Sequence, residues 1–76
     1  MVLASVNEGE KVRITDLSKS NHLIKRRLLD LGIFEGIEVN ILRKMPFGGP
    51  ILIECKGNRI AIRKVDLSRI EVESSR

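Results

Sequence analysis

The chain has 76 residues, a net charge of +4 and 42% hydrophobic residues, with no Trp, no Tyr and two Phe. A chain of this size forms one domain with a single core, which Val, Ile and Leu must fill here. The single cysteine excludes an internal disulfide and favours a reducing, cytoplasmic location. No apolar run approaches the ~20 residues that a membrane-spanning helix needs, so we expect no direct membrane insertion and any membrane link to go through a partner.

The first predicted elements are a strand and a helix. Val12 and Ile14 alternate with polar residues, which is the period of a half-buried strand. Residues 22–31 follow with helical spacing, and Gly32 stands where a left-handed residue commonly ends a helix. The candidate N-terminal caps are Ser18, Ser20 and Asn21.

Leu29 does not fit the apolar stripe of this helix. The stripe consists of Ile24, Leu28 and Leu31. Leu29 falls away from it, on the side of Lys25. Two interpretations stay open: Leu29 is exposed and available to a partner, or the chain around residues 33–34 covers it.

A second strand and a corner follow the helix. The alternating residues of this strand are Ile37, Val39 and Ile41, and the strand extends to about Met45. Pro46 and Pro50 then bracket Phe47, Gly48 and Gly49. Because proline cannot donate to a β-ladder and glycine accepts positive φ, we predict an ordered, exposed corner here.

Gly57 and Asn58 predict a hairpin with a two-residue loop. That loop would pair apolar residues across the two strands, with Cys55 directed to the core. The predicted pairs are Cys55 with Ile60, Ile53 with Ile62, and Glu54 with Ala61.

The C-terminal part contains a short connector over residues 64–68, a last strand around Ile70 and Val72, and a frayed tail over residues 73–76. Five short strands, one or two short helices and no second helix long enough for a crossover indicate a mainly β fold. We therefore predict a single domain over residues 1–76, built as a small five-stranded antiparallel barrel with a helix after the first strand.

The residues that could ligate a metal are scattered. They are His22, Glu35, Glu38, Glu54 and Cys55. No His-x-x-x-His or Cys-x-x-Cys spacing is present, and Glu54 and Cys55 point to opposite faces of their strand. The chain also lacks a paired acid and base, and no glycine-rich segment continues into Lys-Ser or Lys-Thr. We predict no metal site, no cofactor, no catalytic residue and no enzymatic activity.

Protein binding is the function class that remains. Nucleic-acid binding by a small barrel usually needs several stacking aromatic rings, and we expect Phe34 to pack beneath the helix, which leaves Phe47 alone. Phe47 in its corner would form a rigid apolar tip, unless it folds back as a lid over the barrel. Leu29 would form an apolar spot with a basic rim. The predicted partner-binding residues are Lys25, Arg26, Arg27, Leu29, Pro46, Phe47, Gly48 and Arg63, of which Arg27 and Arg63 are rim or structural ion-pair candidates.

Four segments, in this order and spacing, resemble the FeoA domain family. They are residues 27–33 (RLLDLGI), 36–39 (GIEV), 46–51 (PFGGPI) and 57–63 (GNRIAIR). The resemblance implies an SH3-like barrel and a small cytosolic accessory protein of bacterial ferrous iron uptake. It also implies a partner, the FeoB-type membrane permease with its cytosolic GTP-binding domain, whose transport the chain would modulate.

Two departures from the family pattern stand out. Glu35 occupies a position where many relatives have proline, which would loosen a turn, and Val65-Asp66 replaces a common Glu-Ala, which puts a role of that acidic position in doubt. The family also resembles the C-terminal module of iron-dependent repressors, so a metal-sensing or nucleic-acid-binding regulatory module is the alternative. That alternative needs a separate helix-turn-helix domain. Weak self-association through unpaired strand edges is a third interpretation.

Overall fold

The computed structural model describes residues 1–75. Five strands form one antiparallel sheet in the order β4-β3-β2-β1-β5. A 3-10 turn over Leu3–Ser5 precedes the sheet, and the elements are β1 (Lys11–Asp16), α1 (His22–Asp30), β2 (Glu38–Lys44), β3 (Ile51–Cys55), β4 (Asn58–Ile62), α2 (Lys64–Leu67) and β5 (Glu71–Ser74). The prediction of a mainly β chain with five antiparallel strands and a helix after the first is confirmed.

Aliphatic side chains form the core. In β1 the buried residues are Val12 and Ile14, and in β3 every second residue is buried, as the alternation predicts. The core also takes Leu3, Val6 and Leu67, which stand outside any strand pattern. Leu3 and Val6 lie in or next to the 3-10 turn and Leu67 ends the four-residue helix α2, and elements this short show no hydrophobic periodicity.

Helix α1 begins and ends with local hydrogen bonds. Asn21 is the cap, since its Oδ1 accepts a hydrogen bond from the backbone N–H of Ile24 at 2.9 Å. Gly32 has φ +82, and the N–H of Ile33 donates to the carbonyl of Leu28 at 2.8 Å, which closes the helix in the predicted place. Leu28 alone among the residues of α1 is buried, so the helix contacts the core through a narrow stripe.

The β3–β4 hairpin has a different register from the predicted one. Its turn is Lys56-Gly57, both with positive φ of 52 and 83, which is the geometry of a type I′ turn. The observed pairs are Cys55 with Asn58, Ile53 with Ile60, and Ile51 with Ile62. The prediction of a Gly57-Asn58 loop was therefore wrong by two positions in the pairing. A shift of two leaves every side chain on its predicted face, so the alternation could not distinguish the two registers.

Lys56 provides a test of this register. A lysine at φ 52 is strained, whereas asparagine and glycine accept this conformation. We expect Lys56→Gly to raise the free energy of unfolding by about 0.5–1 kcal/mol, because the strain is relieved at a position without a buried side chain. Urea unfolding followed by circular dichroism measures this. A loss of stability would indicate the Gly57-Asn58 turn instead.

The last strand is longer than predicted. Glu73 and Ser74 pair with Arg13 and Val12, so the tail does not fray from residue 73 onward, and Arg76 lies outside the described residues. The N-terminal residues cover the other side of β5. The N–H of Val72 donates to the carbonyl of Met1, and the N–H of Leu3 donates to that of Ile70, both at 2.8 Å. One edge of the sheet is thus closed by the chain itself.

Candidate partner-binding surfaces

The corner, residues 45–50, projects Phe47 into solvent. The ring is fully exposed, at 104% of its reference area, so the alternative that Phe47 forms a lid over the barrel is wrong. Backbone bonds hold the corner: Met45 N–H donates to the carbonyl of Pro50 at 3.1 Å, and Gly49 N–H to that of Pro46 at 3.2 Å. The predicted ordered, exposed corner is therefore present.

The backbone of the corner is strained at the residue it displays. Phe47 has φ 60 and Gly48 has φ 71. A left-handed phenylalanine costs on the order of 1–2 kcal/mol, and the chain gains no burial from this side chain in return. Gly49 is needed for the tight return, because a Cβ there would lie 3.0 Å from the Cβ of Met45. Strain combined with full exposure is more typical of a binding residue than of a packing residue.

The helix surface, which we define as Lys25, Arg26, Leu29 and Phe34, is the second candidate. Leu29 is 54% exposed, so the chain around residues 33–34 does not cover it. Two shallow grooves of about 360 and 330 Å³ meet at Leu29 and Lys25. The first also contains Arg26, and the second contains Phe34. The predicted apolar spot with a basic rim exists as a surface, and its binding of a partner stays a prediction.

Phe34 was predicted incorrectly. It is 43% exposed instead of packing beneath α1, and the Nζ of Lys56 lies 5.4 Å from the centre of its ring. Ile33, which is almost fully buried, takes the core position, and Phe34 begins the turn that leads into β2. Two adjacent apolar residues in a loop give no periodicity, so the sequence carried no signal for which of Ile33 and Phe34 is buried.

The two exposed phenylalanines lie at opposite ends of β3. Phe34 contacts Lys56, which follows the last residue of β3, whereas Phe47 precedes the first. Five strand residues separate these ends by about 13 Å. The rings do not form a continuous stacking platform of the kind that single-stranded nucleic acid requires.

Arg63 makes a local ion pair. Its Nε lies 3.1 Å from Oδ2 of Asp66, and its side chain is 71% exposed, so the pair contributes little to stability. Ile62 pairs with Ile51, which puts Arg63 at the same end of the sheet as the corner. Asp66 is buried and is the ion-pair partner of Arg63, and the doubt about a role of the acidic position in the altered Val65-Asp66 pair stays a prediction.

Arg27 does not belong to the helix surface. It lines a small hollow with Ile62 and Asp66 on the other side of α1 from Leu29. The eight predicted binding residues therefore divide into three places. Lys25, Arg26 and Leu29 lie together, Pro46, Phe47 and Gly48 belong to the corner, and Arg27 and Arg63 both lie near Asp66.

Glu35 links two turns. Its Oε2 accepts a hydrogen bond from the backbone N–H of Leu17 at 3.1 Å, which ties the segment before α1 to the turn before β2. The expectation that glutamate in place of proline loosens this turn stays a prediction. The carboxylate makes a long-range hydrogen bond that a proline at this position could not make.

Cys55 is an unreactive core residue. Its Sγ is buried and lies 3.9 Å from the carbonyl oxygen of Gly32, and desolvation raises the pKa of its thiol, so the nucleophilic thiolate is disfavoured. Glu54 beside it accepts a hydrogen bond from Asn40 at 3.4 Å.

Within residues 1–75, no three His, Cys, Asp or Glu side chains come together as a metal site. In the same part of the chain, neither helix has the length and apolar character needed to cross a bilayer.

Comparison with known proteins identifies relatives. The FeoA domain family matches residues 1–74. The solution structure of the FeoA protein from Chlorobium tepidum has a TM-score of 0.93 and 29% identity, and the match covers 100% of this chain and 71% of that chain. The crystal structure of Stenotrophomonas maltophilia FeoA complexed with zinc has a TM-score of 0.77 and 31% identity, with 96% and 89% covered. That protein is described as a prokaryotic SH3 domain protein and a candidate ferrous iron transport activating factor.

A manganese-dependent transcriptional repressor shares the fold. Its TM-score is 0.87 at 18% identity, and the match covers 97% of this chain and 41% of the repressor. Similarity at this identity concerns the fold alone. The comparisons confirm the predicted SH3-like architecture, in which an open five-stranded sheet curves around one core.

Proposed function

Because the chain belongs to the FeoA domain family, we propose that it is a cytosolic accessory protein of bacterial ferrous iron uptake, which binds the cytosolic part of a FeoB-type membrane GTPase permease and modulates transport. The observation that carries this proposal is the fully exposed Phe47 on a strained, hydrogen-bonded corner. A rigid aromatic tip loses little conformational entropy on binding and is a common anchor of protein interfaces.

The helix surface supplies a second contact. Leu29 and Phe34 are apolar and half exposed, and Lys25 and Arg26 rim them. An apolar centre with a charged rim is the usual arrangement of a protein interface. Since this surface and the corner lie at different ends of β3, the partner must offer two separate contacts or one broad concave face. The two contacts can accordingly be removed one at a time by mutation.

Modulation would act through the conformations of the permease. A bound protein shifts an equilibrium only by the difference in its affinity for the two states. The sequence has no glycine-rich phosphate loop, and the helices within residues 1–75 are too short to reproduce a nucleotide-binding fold. GTP hydrolysis therefore belongs to the partner in this proposal, and the accessory chain changes its rate or its coupling to transport.

The regulatory alternative receives less support. The repressor matches at 18% identity over 41% of its length, whereas the two FeoA proteins match at 29% and 31% over most of theirs. The repressor similarity gives the fold and no residue of a binding site. We therefore prefer the transport role.

A capture experiment tests the proposed function. The chain is immobilised and exposed to detergent-solubilised FeoB permease of the same bacterium in its nucleotide-free, GDP-bound and GTP-analogue-bound forms. We expect saturable binding with an affinity that differs at least about fivefold between nucleotide states, because modulation requires differential affinity. Equal affinity in all nucleotide states would contradict the proposed modulation. No binding in any state would overturn the whole proposal.

A further inference from the structure

Strand β4 is an open edge of the sheet. In the described chain β4 pairs with β3 alone, while residues 1–3 cover the outer side of β5 at the other edge. An uncovered edge presents backbone N–H and C=O groups to any extended strand that can reach them. The protein closes one edge with its own N-terminus and leaves the other available.

The hairpin turn fixes which backbone groups are available. In a two-residue hairpin the residues that flank the turn form a hydrogen-bonded pair, so Cys55 and Asn58 exchange backbone bonds. The pattern repeats every second residue, so the backbone N–H and C=O groups of Ile60 and Ile62 point toward β3. The N–H and C=O groups of Arg59 and Ala61 therefore point outward, and both side chains are exposed.

We propose that β4 is a self-association edge, where a second copy of this chain adds its own β4 in antiparallel orientation. The phase of the outward groups allows a two-fold axis at Arg59, Ile60 or Ala61, and the axis at Ile60 pairs the most outward groups within β4. Arg59 of each copy exchanges hydrogen bonds with Ala61 of the other, and the two Ile60 residues face each other at the axis as a non-hydrogen-bonded pair. This interaction goes beyond the proposed function and does not depend on it.

The side chains suit this register. Ile60 is only partly buried against the core, and its partner at the axis would be an identical aliphatic side chain. Arg59 would stand beside Ala61, so no like charges oppose each other within the paired strands. The first like-charged pair, Lys56 with Lys64 of the second copy, falls beyond the ends of β4. A foreign strand with a cationic residue opposite Arg59 would be repelled by it, whereas a second copy of this chain places Ala61 there.

The association should be weak and strengthened by salt. About four backbone hydrogen bonds and one Ile–Ile contact make an interface smaller than that of a stable dimer. Each copy carries a net charge of +4, so long-range repulsion opposes the encounter and salt screens it. We expect the dimer fraction to rise with protein concentration and with NaCl. A contact between a basic surface and an acidic partner would weaken with salt.

Disulfide trapping tests the register in the whole chain. The Cα atoms of a non-hydrogen-bonded pair are about 4.5 Å apart, which a disulfide can bridge. We expect Ile60→Cys to form a covalent dimer under mild diamide oxidation. Ala61→Cys is the matched control, because the two positions 61 would lie about 8 Å apart, beyond the reach of a disulfide. The native Cys55 is buried and should not contribute.

The expected result is cross-linking at least about tenfold faster for Ile60→Cys than for Ala61→Cys, at equal concentration. Equal rates would reflect random collision and overturn the proposal.

Because Ile60→Cys removes a core contact, Ala61→Pro provides a second measurement: it deletes an outward N–H that β3 does not use. Sedimentation should show less dimer with an unchanged far-ultraviolet spectrum. Self-pairing would be overturned if Ala61→Pro dimerised as well as the wild type. It would also be overturned if the wild type formed no dimer and Ala61→Pro lost permease capture, which would make β4 a contact for the permease.

Discussion

Replacing Ile53 by alanine is expected to lower the free energy of unfolding by about 2–5 kcal/mol, since the side chain is fully buried at the middle of β3. Ile53 pairs with Ile41 on one side and Ile60 on the other, so neighbouring strands cannot close the cavity without losing their own pairing. A domain of this length has a total stability of about 4–11 kcal/mol. The substitution should therefore remove a large share of it.

Glu54→Ala is the matched control for Ile53→Ala. Glu54 is the next residue in β3, and its one observed side-chain bond is a long contact with Asn40 at 3.4 Å. We expect a loss below about 1 kcal/mol. The chain has no Trp and no Tyr, so urea unfolding is best followed by far-ultraviolet circular dichroism. A greater loss for Glu54→Ala than for Ile53→Ala would mean that the two faces of β3 had been assigned the wrong way round.

The faces of the strands were predictable, and their register was not. Alternation assigned Ile53, Cys55 and Ile62 to the core, and the structure buries all three. The hairpin register depended on which residues form the turn, and the sequence offered Gly57-Asn58 as a common turn pair. The protein instead places Lys56 at positive φ. Because turn propensities differ by less than the energy of strand pairing, the sheet determines the turn in this hairpin.

The surfaces were harder to predict than the core. Full exposure of Phe47 could be argued from its prolines and glycines only as one of two outcomes, since a large apolar residue in a corner often closes a core. The sequence did not predict the exposure of Phe34, because an apolar residue soon after the end of a helix is expected to pack against that helix. Its position depends on Ile33 entering the core, which is a tertiary choice. Leu23, at 78% exposure on α1, lies outside the apolar stripe of Ile24, Leu28 and Leu31.

Truncating Phe47 and Leu29 to alanine should each weaken capture of the FeoB permease by about tenfold or more, because anchor residues at the centre of an interface commonly contribute at least 1–2 kcal/mol to binding. Stability should change by less than about 0.5 kcal/mol in both variants, since neither side chain is buried. Alanine is strained at the positive φ of position 47 in the same way as phenylalanine. Phe47→Ala therefore removes the ring without changing the backbone strain of the corner.

Val65→Ala is the matched control for Leu29→Ala, because the two side chains are equally exposed, at 54%, on different helices. If exposed apolar area alone drove capture, all three variants would weaken it in proportion to the area that they remove. If the corner and the helix surface are specific contacts, Val65→Ala leaves capture unchanged and the double variant Phe47→Ala/Leu29→Ala loses more than either single one. The two sites lie far enough apart for their effects on binding to add. Equal loss in Val65→Ala, or a large drop in stability for Phe47→Ala, would contradict the assignment of these surfaces.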